Sequence, residues 1–232
     1  MEKTYWHQKW DDEKIGFHQS DVNKRLVQYW PTLSLSASRL ENCDKGCVFV
    51  PLCGKSLDMV WLHQQGHAVL GVELSGKAAQ AFFNENQLSV VIRHEEQFTV
   101  YEGTGEALGI TIMVGDFFDL TPADCKSCVA LYDRAAMIAM ENDIRVSYAS
   151  HLATLMPALS QGLLLTISYD QSQMQGPPFS VSDENVKKLL TDSFTIKELV
   201  HYSGPERLGN LKDRGLETLD ERVYLLKRAS PS

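Results

Sequence analysis

The sequence predicts an α/β fold: a doubly wound, mostly parallel seven-stranded sheet with helices on both faces and an antiparallel C-terminal edge. Three observations carry this. From Cys47 onward, short apolar runs rich in β-branched residues alternate with segments of helical periodicity. Turn formers and acidic residues fall at the carboxyl ends of those runs. The last two runs are joined by a segment holding Gly204, Pro205, Gly209 and Gly215, which suits an antiparallel return.

The elements follow in order. Residues 1–45 read as an N-terminal helical extension to a single domain over 1–232. Within it Val22, Leu26, Val27 and Trp30 recur at helical spacing until Pro31 stops the helix. Thr32–Lys45 is rich in serine and turn formers. Cys47–Pro51 is the first strand, Ser56–Gln65 a helix with Leu57, Val60 and Trp61 on its apolar face, and Gly66 its cap. Ala68–Val72 is a strand and Gly76–Asn86 a helix. Phe98–Tyr101, Ile110–Val114 and Cys128–Tyr132 read as strands, then Ile144–Met156 as a helix. Leu163–Tyr169 is a strand, Pro177-Pro178 a loop, Asp183–Leu190 a helix, and Phe194–Tyr202 and Arg222–Leu226 the last strands. Eight runs are thus candidates for a sheet of seven.

Bulk properties narrow the function. A net charge of −8 disfavours a nucleic-acid partner, which needs a basic patch. The charged start, MEKTYWHQKWDDEK, has no apolar signal core, and no apolar run approaches the ~20 residues of a membrane span. A cytoplasmic protein without a membrane partner is expected, working as a monomer. The five cysteines are odd in number and expected to be reduced. Cys125-x2-Cys128 is one pair without a second, short of a closed zinc site. His63-x3-His67 is interrupted by Gly66. No metal is expected.

In an open α/β sheet, ligands bind outside the carboxyl ends of the strands. After the first strand comes Leu52-Cys53-Gly54-Lys55-Ser56-Leu57-Asp58, where Gly54 permits a tight turn or a close backbone approach. After the second comes Glu73, 19 residues beyond Gly54 (73 − 54), where a carboxylate usually holds a ribose. Later strands lead into Gly115-Asp116-Phe117, suited to an adenine amino group and ring, and into Asp133-Arg134. Together these make an adenosine site. G-x-G-x-x-G is absent, and a P-loop would need a glycine where Phe49 stands. A ligand without phosphates, S-adenosyl-L-methionine, fits best.

Longer motifs make the match specific. Val50-Pro-Leu-Cys-Gly-Lys-Ser56, Gly66-His67, Gly71-Val-Glu-Leu-Ser75, Trp6-x3-Trp10 with Phe17-His18-Gln19, Asp133-Arg134 with Ala139, Ser168-Tyr169-Asp170, Gly176-Pro-Pro-Phe179 and Tyr224-Leu-Leu226 span nearly the whole chain. In this order they resemble the thiopurine S-methyltransferase family. The resemblance implies a Rossmann-like class I methyltransferase fold and S-methylation of aromatic and heterocyclic thiols, giving S-adenosyl-L-homocysteine. Bacterial members are also linked to selenium and tellurium methylation. It implies that the N-terminal helix covers the cofactor, with Trp6, Trp10, Leu52, Gly54, Glu73, Asp116, Phe117 and Arg134 around it. Phe17 would face the acceptor, and Arg134 would lie beside its thiolate as the catalytic cation. A second substrate arginine in the loop before the last strand matches Arg207, with Arg214 the alternative.

Plainer readings stand beside these. Trp6, Trp10 and Phe17 could staple the N-terminal helix to the core. Glu73 could cap a helix, Asp116 could cap a turn with Thr121, and Arg134 could pair with Asp133 or Asp170. Lys55 reads as a helix-start residue, and His18 as structural. Two other activities share the pattern: methylation of halide or thiocyanate, and nicotinamide-dependent oxidoreduction, which the missing glycines disfavour.

Overall fold

A computed structural model describes residues 3–16, 18–35, 46–159 and 161–229. Its helices are α1 (Lys3–Asp11), α2 (Lys24–Tyr29), α3 (Leu57–Gln64), α4 (Gly76–Glu85), α5 (Asn142–Leu155) and α6 (Asp183–Leu190). Its strands are β1 (Cys47–Pro51), β2 (Ala68–Glu73), β3 (Ser89–His94), β4 (Thr99–Thr104), β5 (Ile110–Val114), β6 (Cys128–Asp133), β7 (Gln161–Ser168), β8 (Phe194–Ser203) and β9 (Asp220–Arg228). They form one sheet in the order β3-β4-β5-β2-β1-β6-β7-β9-β8.

The five central strands, β5-β2-β1-β6-β7, run parallel, and β9 and β8 return antiparallel at one edge. These seven are the doubly wound sheet that the alternation of strands and helices predicts. Among the described residues the sheet nevertheless has nine strands, because the antiparallel pair β3–β4 extends it beyond β5. β3 escapes a reading by periodicity because it is an edge strand, exposed at nearly every position, so no apolar face alternates along it.

Successive side chains of each strand point to opposite faces, and that period divides the core in two. Phe49, Val72, Leu131 and Leu164 join α5 and α6 on one side. Val48, Val50, Ala130, Tyr132 and Leu163 join α2, α3 and α4 on the other. Because both faces are covered, β1 is buried along its whole length and reads as a continuous apolar run.

Two helical faces differ from expectation. In α2 Leu26 is buried, as is Trp30 in the turn that follows, but Val27 is 44% exposed. In α3 the fully buried residues are Asp58, Met59 and Leu62, while Leu57, Val60 and Trp61 lie on the flank. An eight-residue helix offers only two turns of pattern, and a buried aspartate breaks the apolar stripe that would have revealed its inner face. As read from the sequence, Pro31 falls in the short 3-10 turn that ends α2, and Gly66 adopts the left-handed φ of 89° after α3. Most of the serine-rich stretch to Lys45 lies outside the described residues, as does Cys43.

Cys47 and Cys128 lie with their sulfurs 3.3 Å apart between β1 and β6. The four described cysteines are free thiols. No group of three or more His, Cys, Asp or Glu among the described residues could hold a metal ion. His63 turns its ring to the carbonyls of His67 and Glu106, and His67 accepts from the Trp30 indole. No helix among the described residues is long and apolar enough to cross a membrane.

Asp133, at the end of β6, is fully buried and accepts from the Ala136 and Met137 amides and the Tyr148 hydroxyl. Burial pushes its pKa up to about 6 despite these donors. The folded chain therefore keeps this proton between about pH 4 and pH 6, where the unfolded chain has lost it. The stability that this group adds is present below about pH 4 and disappears as the pH rises through about 6. Asp133→Asn should flatten that part of the pH–stability curve. Denaturant midpoints with the same slope as the unsubstituted protein over this range would contradict the assignment.

Candidate active site

A cavity of about 1220 Å³ opens at the carboxyl ends of β1, β2, β5 and β6, with α1 over it. Typical single-ligand pockets are about 300–1,000 Å³, so there is room for two small molecules side by side.

The turn after β1 forms its floor. Leu52 and Gly54 both take left-handed backbone angles, φ 49° and 54°. For leucine this costs on the order of 1–3 kcal/mol, strain of the kind that gathers at functional sites. Between them the Cys53 amide donates to the Val72 carbonyl, holding the turn against β2. The Trp10 indole of α1 lies on Gly54, 3.4 Å from where a Cβ would stand, and is itself 5% exposed.

Glu73 ends β2 and is 7% exposed. One oxygen accepts from the Gly54 amide and the other from the Ser75 amide, each at 2.9 Å. Burial raises its pKa and these backbone donors counter the rise. Glu73 is thus not a solvated capping residue. It is a fixed acceptor, and each oxygen keeps a lone pair for one more donor.

Asp116 accepts from the Phe118 amide at 2.9 Å and pairs with Lys3 of α1 at 2.6 Å. Its turn partner is Phe118, and Thr121 pairs instead with Asp124. Phe117 reaches the cavity but is 5% exposed, its ring packed against Phe49, Tyr148 and His151. Leu74 joins the same wall, a contact that sequence reasoning missed.

Arg134 follows β6, and its side chain is 17% exposed. Its structural partner is neither Asp133 nor Asp170. Nε meets Asp58 Oδ2 at 2.9 Å, and Nη2 donates to Ser56 Oγ at 3.2 Å. Asp133 is satisfied by the amides of its own turn and the Tyr148 hydroxyl, and Asp170 caps Ser172. Asp58 is the residue that the sequence reading quoted but left without a role. The available signal was an acidic residue inside the apolar run Leu57–Leu62.

The remaining candidates separate. Trp6 lines the cavity and packs edge-on to Tyr5. Phe17 lies outside the described residues. His18 lines the cavity, and burial, with Lys55 next, holds its pKa below the usual imidazole range. Arg207 is not at the cavity: its guanidinium lies 4.5 Å from the Tyr202 ring centre. The arginine of that loop which reaches the wall is Arg214, held by the Pro177 carbonyl at 2.8 Å. Arg207 ends one 3-10 turn, Pro205–Arg207, and Arg214 ends the next, Gly209–Arg214, so the two arginines meet different surroundings.

The donor set fits S-adenosylmethionine and not a phosphate ligand. Lys55, where a phosphate-binding lysine would stand, is tied to Glu85 of α4 at 2.7 and 2.9 Å. The turn has a single glycine, and the buried acceptor at Glu73 calls for a neutral hydroxyl donor. A ribose, a sulfonium and an apolar ring face would each find a complement here.

Comparisons with known proteins agree. The family model for thiopurine S-methyltransferase matches residues 1–229. A thiopurine S-methyltransferase of Pseudomonas fluorescens is 44% identical over 98% of this chain and 99% of its own length. One from Azotobacter vinelandii is 42% identical over 98% and 100%. Among solved structures, magnesium protoporphyrin IX methyltransferase from Synechocystis with bound SAH superposes with a TM-score of 0.63 at 14% identity, over 98% of this chain and 100% of that one. A Burkholderia thailandensis 1,6-didemethyltoxoflavin-N1-methyltransferase with bound S-adenosylhomocysteine gives 0.59 at 14%, over 98% and 87%. At such identity the likeness is one of fold.

Gly54→Ala tests the floor of the cavity. A left-handed φ and the nearby indole both disfavour a Cβ, so a stability loss of about 1 kcal/mol is expected. Trp10 should become more exposed to a fluorescence quencher. Unchanged stability and quenching would show that the turn does not need glycine.

Proposed function

Because the chain belongs to the thiopurine S-methyltransferase family, we propose that it methylates the sulfur of aromatic and heterocyclic thiols, thiopurines among them. The chain is a methyltransferase, and S-adenosylmethionine is its methyl donor. The observation that carries the acceptor half is Arg134, a permanent cation in the wall of the cavity that also holds the Glu73 carboxylate.

When bound, S-adenosylmethionine supplies a methyl group on a positively charged sulfur. Glu73 is proposed to accept from the ribose hydroxyls, with charged hydrogen bonds worth roughly 1.5–3 kcal/mol each. Asp116, Phe117, Leu52 and Leu74 would frame the adenine. Asp116 would then serve two donors, the base and Lys3. Trp6 and Trp10 would exclude water, and an indole face favours a sulfonium by ~0.5–2 kcal/mol.

Arg134 is proposed to keep the acceptor sulfur ionised, the nucleophilic form, by lowering its pKa. An acidic thiol then needs no side-chain base. Arg214 rather than Arg207 is proposed as the second substrate arginine. Most of the acceleration would come from alignment, which can supply roughly 7–11 kcal/mol.

Two measurements test this. Glu73→Gln keeps the shape but removes the charge, and should weaken S-adenosylmethionine binding at least about tenfold by calorimetry. Equal affinity would sink the ribose assignment. Arg134→Ala should slow methylation most for thiols of high pKa, read with labelled cofactor over thiopurines, thiophenols, selenite and halides. A uniform loss across the thiol series would remove the electrostatic role, and activity on halides alone would replace the acceptor class.

A further inference from the structure

Asp58 stands in the first turn of α3, where the helix dipole favours an acid. An acid there usually faces water near the helix N-terminus. This one is 1% exposed. Among the described residues, the hydrogen-bond partners of its carboxylate are all remote in sequence. Oδ1 accepts from the Asn23 amide at 2.7 Å, and Oδ2 accepts from the Tyr132 hydroxyl at 3.0 Å and from Arg134 Nε at 2.9 Å. These partners belong to the N-cap of α2, to β6, and to the turn after β6. The carboxylate therefore lies across the gap between β1 and β6, where the chain order of the sheet reverses.

From these contacts we propose that Asp58 is the positioning residue that holds the Arg134 guanidinium at the methyl-transfer site. This rests on the reading of Arg134 as the group beside the acceptor sulfur. A guanidinium is planar and rigid. Asp58 holds Nε and Ser56 holds Nη2, so two of its three nitrogens are fixed on one edge. Fixing two fixes the third, and with it the direction in which the cation faces the cavity. A free arginine would rotate about several bonds, and a misplacement of about 1 Å can cost a hundredfold in rate. Tyr132 supports the carboxylate from the core, its hydroxyl buried and its ring edge-on to Trp30. The Asn23 contact ties the same carboxylate to the segment that lines the cavity before α2.

A double-mutant cycle distinguishes positioning from a merely structural role. Asp58→Asn should lower kcat for a thiol acceptor at least about fivefold, while the Kd for S-adenosylmethionine changes less than about twofold. In an Arg134→Ala background the same substitution should have no further effect on kcat. Tyr132→Phe, which removes one donor and leaves the carboxylate in place, should give a smaller loss that also vanishes in that background. This second cycle covers an Asp58→Asn protein that does not fold. Losses that multiply independently with Arg134→Ala in either cycle would overturn the proposal, as would a cofactor Kd that rises in step with the fall in kcat. If Arg134→Ala alone leaves turnover unchanged, the functional reading of Arg134 fails, and the positioning role falls with it. If Arg134→Ala slows turnover but shows no coupling, only the positioning role fails.

Discussion

A parallel sheet ends its strands together, and each ending leaves backbone amides of the following turn aimed into one crevice. The site depends on how those amides are satisfied. A buried N–H without a partner is costly. Here acidic side chains at strand ends supply the acceptors. Glu73 takes Gly54 and Ser75, Asp116 takes Phe118, and Asp133 takes Ala136 and Met137. Each carboxylate shapes the turn that follows its strand and is held still by it. For Glu73 and Asp116, which also border the cavity, the structural role and the proposed ligand-binding role are therefore one arrangement. Asp133 is turned inward, where it shapes its turn and accepts from Tyr148 of α5.

The second level is electrostatic. Arg134 is held against a buried carboxylate and a hydroxyl, so it is a cation in a fixed place. Lys55 is spent on Glu85, and Arg25 on Glu221 and the Tyr202 ring. Arg207 lies on that same ring. Pairing these cations elsewhere leaves Arg134 and Arg214 as the arginines that line the cavity. The N-terminal segment closes the arrangement through Trp10 on Gly54, Lys3 on Asp116, and the Gly16 carbonyl on Asn210.

Much of this was legible in the sequence, unevenly and for physical reasons. The parallel strands were legible because burial on both faces makes them unbroken apolar runs. β3 was not, because an exposed edge strand carries no alternation. Glu73, Gly54 and Asp116 were legible because spacing along a strand-turn-helix unit is local. Asp58 was not assigned, because its partners at Asn23, Tyr132 and Arg134 lie far along the chain and meet only when β1 and β6 pair. The loop arginines were left open between 207 and 214 because their direction depends on how two 3-10 turns curl.

The sequence by itself determined the fold class, the strand-end residues and the family, since these follow from local periodicity, spacing and ordered motifs. The tertiary structure decided which charges oppose which. It set Asp58 against Arg134, tied Lys55 to Glu85, laid Arg207 on the Tyr202 ring, and laid Trp10 over the turn at Gly54. The physical reason is that a salt bridge or a stacked ring is set by distance in space, and distance between remote residues exists only once the sheet has brought them together.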